Sequence, residues 1–197
     1  LARCQYLLQQ GNFVADLVYF TGEESHLYTK VNADELYPPP PEGFDYDLIN
    51  AEAILKRVQI IDSRIVLPDG MSYRIMVFQK PYAVSLELLR KIYALVKAGM
   101  MLVGTKPVRL SGLTTADQET EFKELVNKVW SDQNEKNVSK QSGSGTVYNA
   151  PSLSVVLTEL NLTPDFQYSS KSGNASVKFI HRTDKETDIY FLVNRKR

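Results

Sequence analysis

Two histidines, one cysteine and one adjacent pair of glutamates are the side chains of this 197-residue chain that reach most readily into chemistry. The pair, Glu23 and Glu24, follows Thr21-Gly22 and precedes Ser25-His26. Glycoside hydrolysis uses two carboxylates, set on opposite sides of the scissile bond and about 5 to 9.5 Å apart. Chain neighbours do not face each other across a sugar, so the pair reads as a solvated acidic loop. Two carboxylates also work against a phosphate cradle there, and no Gly-x-Gly-x-x-Gly occurs anywhere. His26 has no partners at zinc-ligand spacing and reads as a surface histidine. Cys4 sits in a helical stretch with no histidine near it, and no Gly-x-Ser-x-Gly or Gly-x-Cys-x-Gly, the spacing of a nucleophile elbow, occurs. That argues against a working glutamine amidotransferase. The remaining candidates make contacts and break no bonds. Tyr46 belongs to an aromatic group, with Tyr37 and Phe44, around the run Pro38–Pro41; His181 and Arg182 form a polar pair near the end of a strand. These three, Tyr46, His181 and Arg182, are the residues expected to touch a neighbouring domain or a glycan.

The elements that must position them follow from pattern. Residues 3–10 are helical, and Gly11 suits the left-handed position past a helix end. The run Phe13–Phe20 reads as one buried strand. Asp47 reads as the cap of a helix carrying Leu48, Ala51, Leu55 and Val58 on one face. Two short strands lie between Ile60 and Leu67, and Pro68-Asp69-Gly70 is a turn that leads into another at Tyr73–Phe78. Ser85 opens a helix with Leu88, Leu89, Ile92, Leu95 and Val96, and Gly99 closes it. Met100–Gly104 is an apolar strand of the kind covered on both faces. Thr115 and Gln118 form a capping box ahead of Phe122, Leu125, Val126 and Val129. Residues 132–146 read as a polar loop, Leu153–Leu160 as a last helix, and Val177–Arg182 with Asp188–Asn194 as a final strand pair. Alternating buried strands and amphipathic helices predict an α/β fold: a doubly wound, mostly parallel sheet, flavodoxin-like or like a class I glutamine amidotransferase. Residues 1–12 read as the end of a preceding barrel or a linker helix, and 13–197 as one domain.

Acidic and basic residues balance at 23 each. Domains that neutralise phosphates carry a basic excess, so nucleic acid is not an expected partner. No polybasic tract addresses a membrane surface, and no apolar run approaches the roughly 18 residues of a bilayer span. A single cysteine excludes an internal disulfide and leaves the redox compartment open. With no initiating Met and an opening that is already helical, the chain reads as a piece of a longer protein. The sequons at Asn137, Asn161 and Asn174 are expected by chance in a polar chain.

Four stretches carry a family resemblance. Arg3-Cys4-Gln5-Tyr6-Leu7-Leu8-Gln9-Gln10-Gly11-Asn12-Phe13-Val14-Ala15-Asp16-Leu17-Val18-Tyr19-Phe20-Thr21-Gly22-Glu23 resembles the region where the catalytic barrel of bacterial α-L-rhamnosidase-type glycoside hydrolases meets the following domain. Gly43-Phe44-Asp45-Tyr46-Asp47-Leu48-Ile49-Asn50-Ala51-Glu52 is similar to the family's next segment. Leu67-Pro68-Asp69-Gly70-Met71-Ser72-Tyr73-Arg74 is similar to a third. His181-Arg182 with Asp188-Ile189-Tyr190-Phe191-Leu192-Val193-Asn194 resembles the lead-in to a β-sandwich. The resemblance implies an accessory domain after a (β/α)8 barrel, in a periplasmic or extracellular enzyme that removes terminal rhamnose from polysaccharides by inversion. It implies that the glutamate acid and base, and a calcium ion, belong to that barrel, so no catalytic, metal or cofactor residue is carried onto this chain. The implied partners are the preceding barrel and the following β-sandwich of the same chain, with carbohydrate as the ligand of the whole enzyme. The expected role is non-catalytic and structural, with a carbohydrate-binding module as the alternative.

Overall fold

The computed structural model describes residues 2–23, 32–79, 83–130, 138–149, 152–171, 173, 175–184 and 186–196. The elements run α1 (Ala2–Leu8), β1 (Asn12–Phe13), β2 (Leu17–Phe20), a 3-10 turn (Ala33–Glu35), β3 (Tyr46–Ile49), α2 (Ala51–Lys56), β4 (Gln59–Ile61), β5 (Arg64–Val66), β6 (Ser72–Tyr73), β7 (Ile75–Phe78), β8 (Ala83–Val84) and α3 (Leu86–Lys97). They continue with β9 (Met101–Gly104), β10 (Arg109–Leu110), α4 (Ala116–Val129), β11 (Val138–Ser142), β12 (Gly145–Asn149), α5 (Leu153–Glu159), β13 (Val177–Asp184) and β14 (Thr187–Asn194).

The largest sheet has the order β11-β12-β9-β7-β2-β3. Its strands from β12 to β3 are parallel, and β11 closes one edge antiparallel. Every residue of β2 and β7 is buried, which is why these strands read as continuous apolar runs. On one face Met76, Phe78 and Leu102 meet Leu88, Leu89 and Ile92 of α3, with α2 and α4 alongside. The opposite face, with Leu17, Tyr19, Ile75 and Val77, is covered by the seven-residue α5 and by Leu36 and Phe44 from the loop before β3. The Tyr19 hydroxyl donates to the Pro38 carbonyl at 2.7 Å, which anchors the buried start of the proline run to the sheet.

Three further sheets stand apart: β1-β13-β14, β4-β5-β6 and the pair β10-β8. They correct the expected doubly wound, mostly parallel sheet, whether flavodoxin-like or amidotransferase-like. Among the described strands, five pairings are parallel and five antiparallel. Helical cover is lopsided, and the terminal strands pair with β1 in a sheet of their own. The physical reason is local closure: runs joined by tight turns, as at Asp62-Ser63 and Pro68–Gly70, fold back as antiparallel ribbons and never cross over to extend the main sheet. The run 13–20 is likewise split, β1 going to the terminal sheet and β2 to the large one. Asp47 lies inside β3, and Asn50 caps α2 instead, its side-chain oxygen accepting from the Ala53 N–H at 2.9 Å. Part of the expected polar loop forms β11, since its alternation lets it pair with β12. The Ser85 cap and the Thr115/Gln118 capping box form as expected.

Candidate functional site

A group of interacting titratable side chains lies where the terminal hairpin meets the amino ends of the large sheet's strands. Asp16 precedes β2, Asp45 precedes β3 and Arg74 precedes β7. The Asp16 carbonyl accepts from the Arg74 and Ile75 N–H groups, and its carboxylate holds Arg74 Nε at 3.0 Å. Burial nonetheless raises the Asp16 carboxyl, against the lowering pull of Arg74. From the other side the hairpin register sets His181 opposite Tyr190, and their rings stack at 4.1 Å with an 18° tilt.

His181 is buried, with 7% of its surface exposed. Its Nδ1 stands 2.8 Å from Asp165 Oδ2 and its Nε2 3.0 Å from Asp188 Oδ1. Both contacts are complete only when both ring nitrogens carry hydrogen, because a bare nitrogen would face a carboxylate oxygen. The other oxygen of Asp165 accepts from the Tyr190 hydroxyl at 2.8 Å. One carboxylate thus ties together both strands of the hairpin. Burial, and then this hydrogen bond, push the Tyr190 phenol up to about 12. The hydrogen bond from His181 pulls the exposed Asp188 carboxyl below its ordinary range.

Asp45, just before β3, is a second carboxyl that burial raises. Burial pushes its carboxyl up to about 6, with help from the Asp165 and Asp47 carboxylates; the Tyr46 N–H, which it accepts at 2.9 Å, and Lys178 act the other way. The sign of its effect on folding is set by this upward displacement from 3.8. The folded chain holds the proton more tightly, so Asp45 favours folding below about pH 4, and that contribution is lost as pH rises through about 6. Asp45→Asn keeps the acceptor for the Tyr46 N–H and removes the charge. It is expected to stabilise the chain by about 2 kcal/mol at pH 7.5 and to change little at pH 4. Urea unfolding at the two pH values measures this, and equal effects at both would contradict it.

The three residues singled out from sequence are not brought together. Tyr46 opens β3 and packs edge-on against Tyr19 at 5.7 Å and 79°. His181 is enclosed in the carboxylate clamp. Arg182, its neighbour, turns to the opposite face of β13 and donates from its guanidinium to the Gln10 and Gly11 carbonyls, fastening α1 to the hairpin. Glu23 is no solvated loop residue: its carboxylate accepts from the Ser85 N–H and, at 2.8 Å, from the Ser85 hydroxyl, bracing the start of α3. Glu24 and His26 lie outside the described residues. Asp16, Asp45, Asp165, Asp188 and Tyr190 escaped the sequence reading. The facing of His181 and Tyr190 was readable from a hairpin centred between Asp184 and Thr187, but Asp165 has no such signal. Among the described residues, no group of three or more His, Cys, Asp or Glu side chains converges to hold a metal ion. The geometry is that of a polar joint between two sheets.

The sequence profile of the alpha-L-rhamnosidase family matches residues 1–197. A Formosa agariphila protein named provisionally as a beta-glucuronidase is 34% identical over all of this chain, which covers 15% of that protein. The solved structure of a rhamnosidase from Novosphingobium sp. PP1Y superposes with a TM-score of 0.85 at 30% identity, over 98% of this chain and 18% of the other. The chain thus spans less than a fifth of the length of either relative. The structural correspondence sets its architecture with a rhamnosidase segment rather than with flavodoxins or amidotransferases.

Proposed function

The chain belongs to the alpha-L-rhamnosidase family of glycoside hydrolases as a small part of a longer protein, and from that premise we propose that it is a non-catalytic structural domain. In this reading the parent is an α-L-rhamnosidase that acts on polysaccharides in the periplasm or outside the cell. A catalytic barrel and a β-sandwich of the same chain are the partners of this domain. The observation that carries the reading is the outward face of the terminal sheet. The register sets Ile180 opposite Phe191 and Val193 opposite Lys178, on the face away from the His181 clamp. Ile180 is 37% and Val193 45% exposed, and β14 is an edge strand of eight residues. An apolar face beside a long open edge is a liability in water and an asset against another domain. Arg182, on the same face, supplies a polar rim.

Two measurements test this. The isolated 197-residue chain is expected to show no hydrolysis of p-nitrophenyl α-L-rhamnoside above the blank. In the longer enzyme, Ile180→Lys with Val193→Glu is expected to lower the Tm by several degrees. The same pair in the isolated chain, where no second domain covers the exposed part of these side chains, should cost no more than about 1 kcal/mol. Turnover that co-purifies with the isolated chain, or an equal loss in both contexts, would refute the reading.

A further inference from the structure

Carboxylates from three separate stretches of chain meet where the terminal hairpin joins the large sheet. Asp16 comes before β2, Asp45 before β3, and Asp165 after α5. Backbone holds the last two stretches together. The Phe166 N–H donates to the Gly43 carbonyl at 3.3 Å, and Gly43 has a φ of +84°. A Cβ there would stand 2.4 Å from the Phe166 carbonyl oxygen, so glycine is required for this approach. Asp165 consequently acts on both Asp16 and Asp45 through its charge. Two nearby guanidinium groups have other partners: Arg74 holds Asp16 at 3.0 Å, and Arg64 donates to Ser72 Oγ at 3.0 and 3.2 Å. Among the described residues, Asp45 is also faced by Lys178 of β13, by Tyr46, and by Asp47, which accepts from the Tyr73 hydroxyl at 2.8 Å. His181 is faced by Asp165, by Asp188 and by the Tyr190 ring.

We propose that this joint is a proton-operated latch: it holds the terminal hairpin on the large sheet while His181 and Asp45 are both protonated, and releases it when they are not. In the closed state the imidazolium donates from Nδ1 to Asp165 at 2.8 Å and from Nε2 to Asp188 at 3.0 Å. A neutral Asp45 then adds no charge beside Asp165. Loss of the two protons acts in one direction. A neutral imidazole has a single N–H, so a bare nitrogen is left against a carboxylate oxygen. An ionised Asp45 sets a second negative charge beside Asp165 in a partly buried place, where like charges repel strongly. For Asp45 the sign follows from its upward displacement to about 6: its contribution is present at low pH and lost as pH rises through that value. Histidine changes charge over the same range, between about pH 5 and 8. Strands β2 and β7 are buried throughout and carry no Asp, Glu, Lys, Arg or His, so release is confined to the hairpin. The latch is a property of this chain alone. A bracing role for the domain neither needs it nor falls with it.

Amide hydrogen exchange across the pH range is the test, with each rate divided by its intrinsic value at that pH. Protection of β13 and β14 relative to β2 and β7 is expected to fall at least about tenfold between about pH 5 and about pH 8. Asp45→Asn is neutral at every pH and should make that fall severalfold smaller. Asp165→Asn offers an amide that can donate to a bare ring nitrogen or accept from an N–H, and it should also flatten the profile. Ring-nitrogen chemical shifts should show both His181 nitrogens carrying hydrogen in the protected hairpin. If Asp165→Asn does not fold, Asp45→Asn and the ring shifts decide. A smaller fall in the unaltered chain, an equal fall in β2 and β7, a fall undiminished in Asp45→Asn, or a bare His181 nitrogen in the protected hairpin would overturn the proposal.

Discussion

Gly104→Val is expected to cost at least about 3 kcal/mol, and with it the native packing of the large sheet. Gly104 ends β9 and pairs with Phe78 at the end of β7. Its φ of +145° is one that side-chain-bearing residues rarely adopt, and a Cβ would stand 2.4 Å from the Phe78 carbonyl oxygen and 2.8 Å from Phe78 Cβ. Neither neighbour can yield. The carbonyl is backbone in the sheet, and the Phe78 ring is 1% exposed and packed on Phe20 at 4.9 Å. A shift of Gly104 would also disturb its own carbonyl, which accepts from Trp130 Nε1 at 3.1 Å and so links the strand to the end of α4. The near-ultraviolet signal of Trp130 and the urea midpoint report the loss. Gly112→Ala is the control: its φ is +79° but nothing lies within 4 Å, so only the backbone cost of about 1 to 2 kcal/mol remains. Similar losses in the two variants would show that the close approach of β9 to β7 carries no special weight.

His181→Ala is expected to cost about 2 to 4 kcal/mol and to free the terminal hairpin before the rest of the chain unfolds. The ring is buried, and its removal opens a gap against Tyr190 and strands the half-buried Asp165 carboxylate with the Tyr190 hydroxyl alone. The variant also carries a pH signature. With the imidazole present, Asp188 titrates below 3.8. A depressed carboxyl contributes stability that is present above its unfolded value and lost as pH falls through the folded one. In His181→Ala that acid-side loss below about pH 4 should shrink. Hydrogen exchange checks the location of the effect: amides of β13 and β14 should lose protection while those of β2 and β7 keep theirs. Uniform loss across both sheets would mean that the joint and the main core unfold together.

Much of the local structure was legible. Helices α3 and α4 announced themselves by apolar spacing and by Ser85 and Thr115 at their starts, because caps and amphipathic faces depend on residues three or four apart. The turn at Pro68–Gly70 was readable for the same reason. The alternation in 177–194 pointed to a hairpin. The family resemblance, resting on four stretches from Arg3 to Asn194, holds over the whole chain. The doubly wound architecture did not follow from those elements. A buried strand looks the same whether its neighbours run parallel or antiparallel, and β1 and β2 form one apolar run although they serve different sheets.

The sequence by itself determined where helices begin, where the chain must turn, which residues seek the interior and which family the chain resembles, since each depends on spacing within a few residues. Only the tertiary structure decided that Asn12 and Phe13 pair with strand residues about 170 positions later, that Glu23 braces Ser85, and that His181 closes on Asp165 rather than facing a partner. Those contacts are settled by which unsatisfied backbone edges and buried charges find each other once the elements pack, and neighbouring residues along the chain hold no record of that competition.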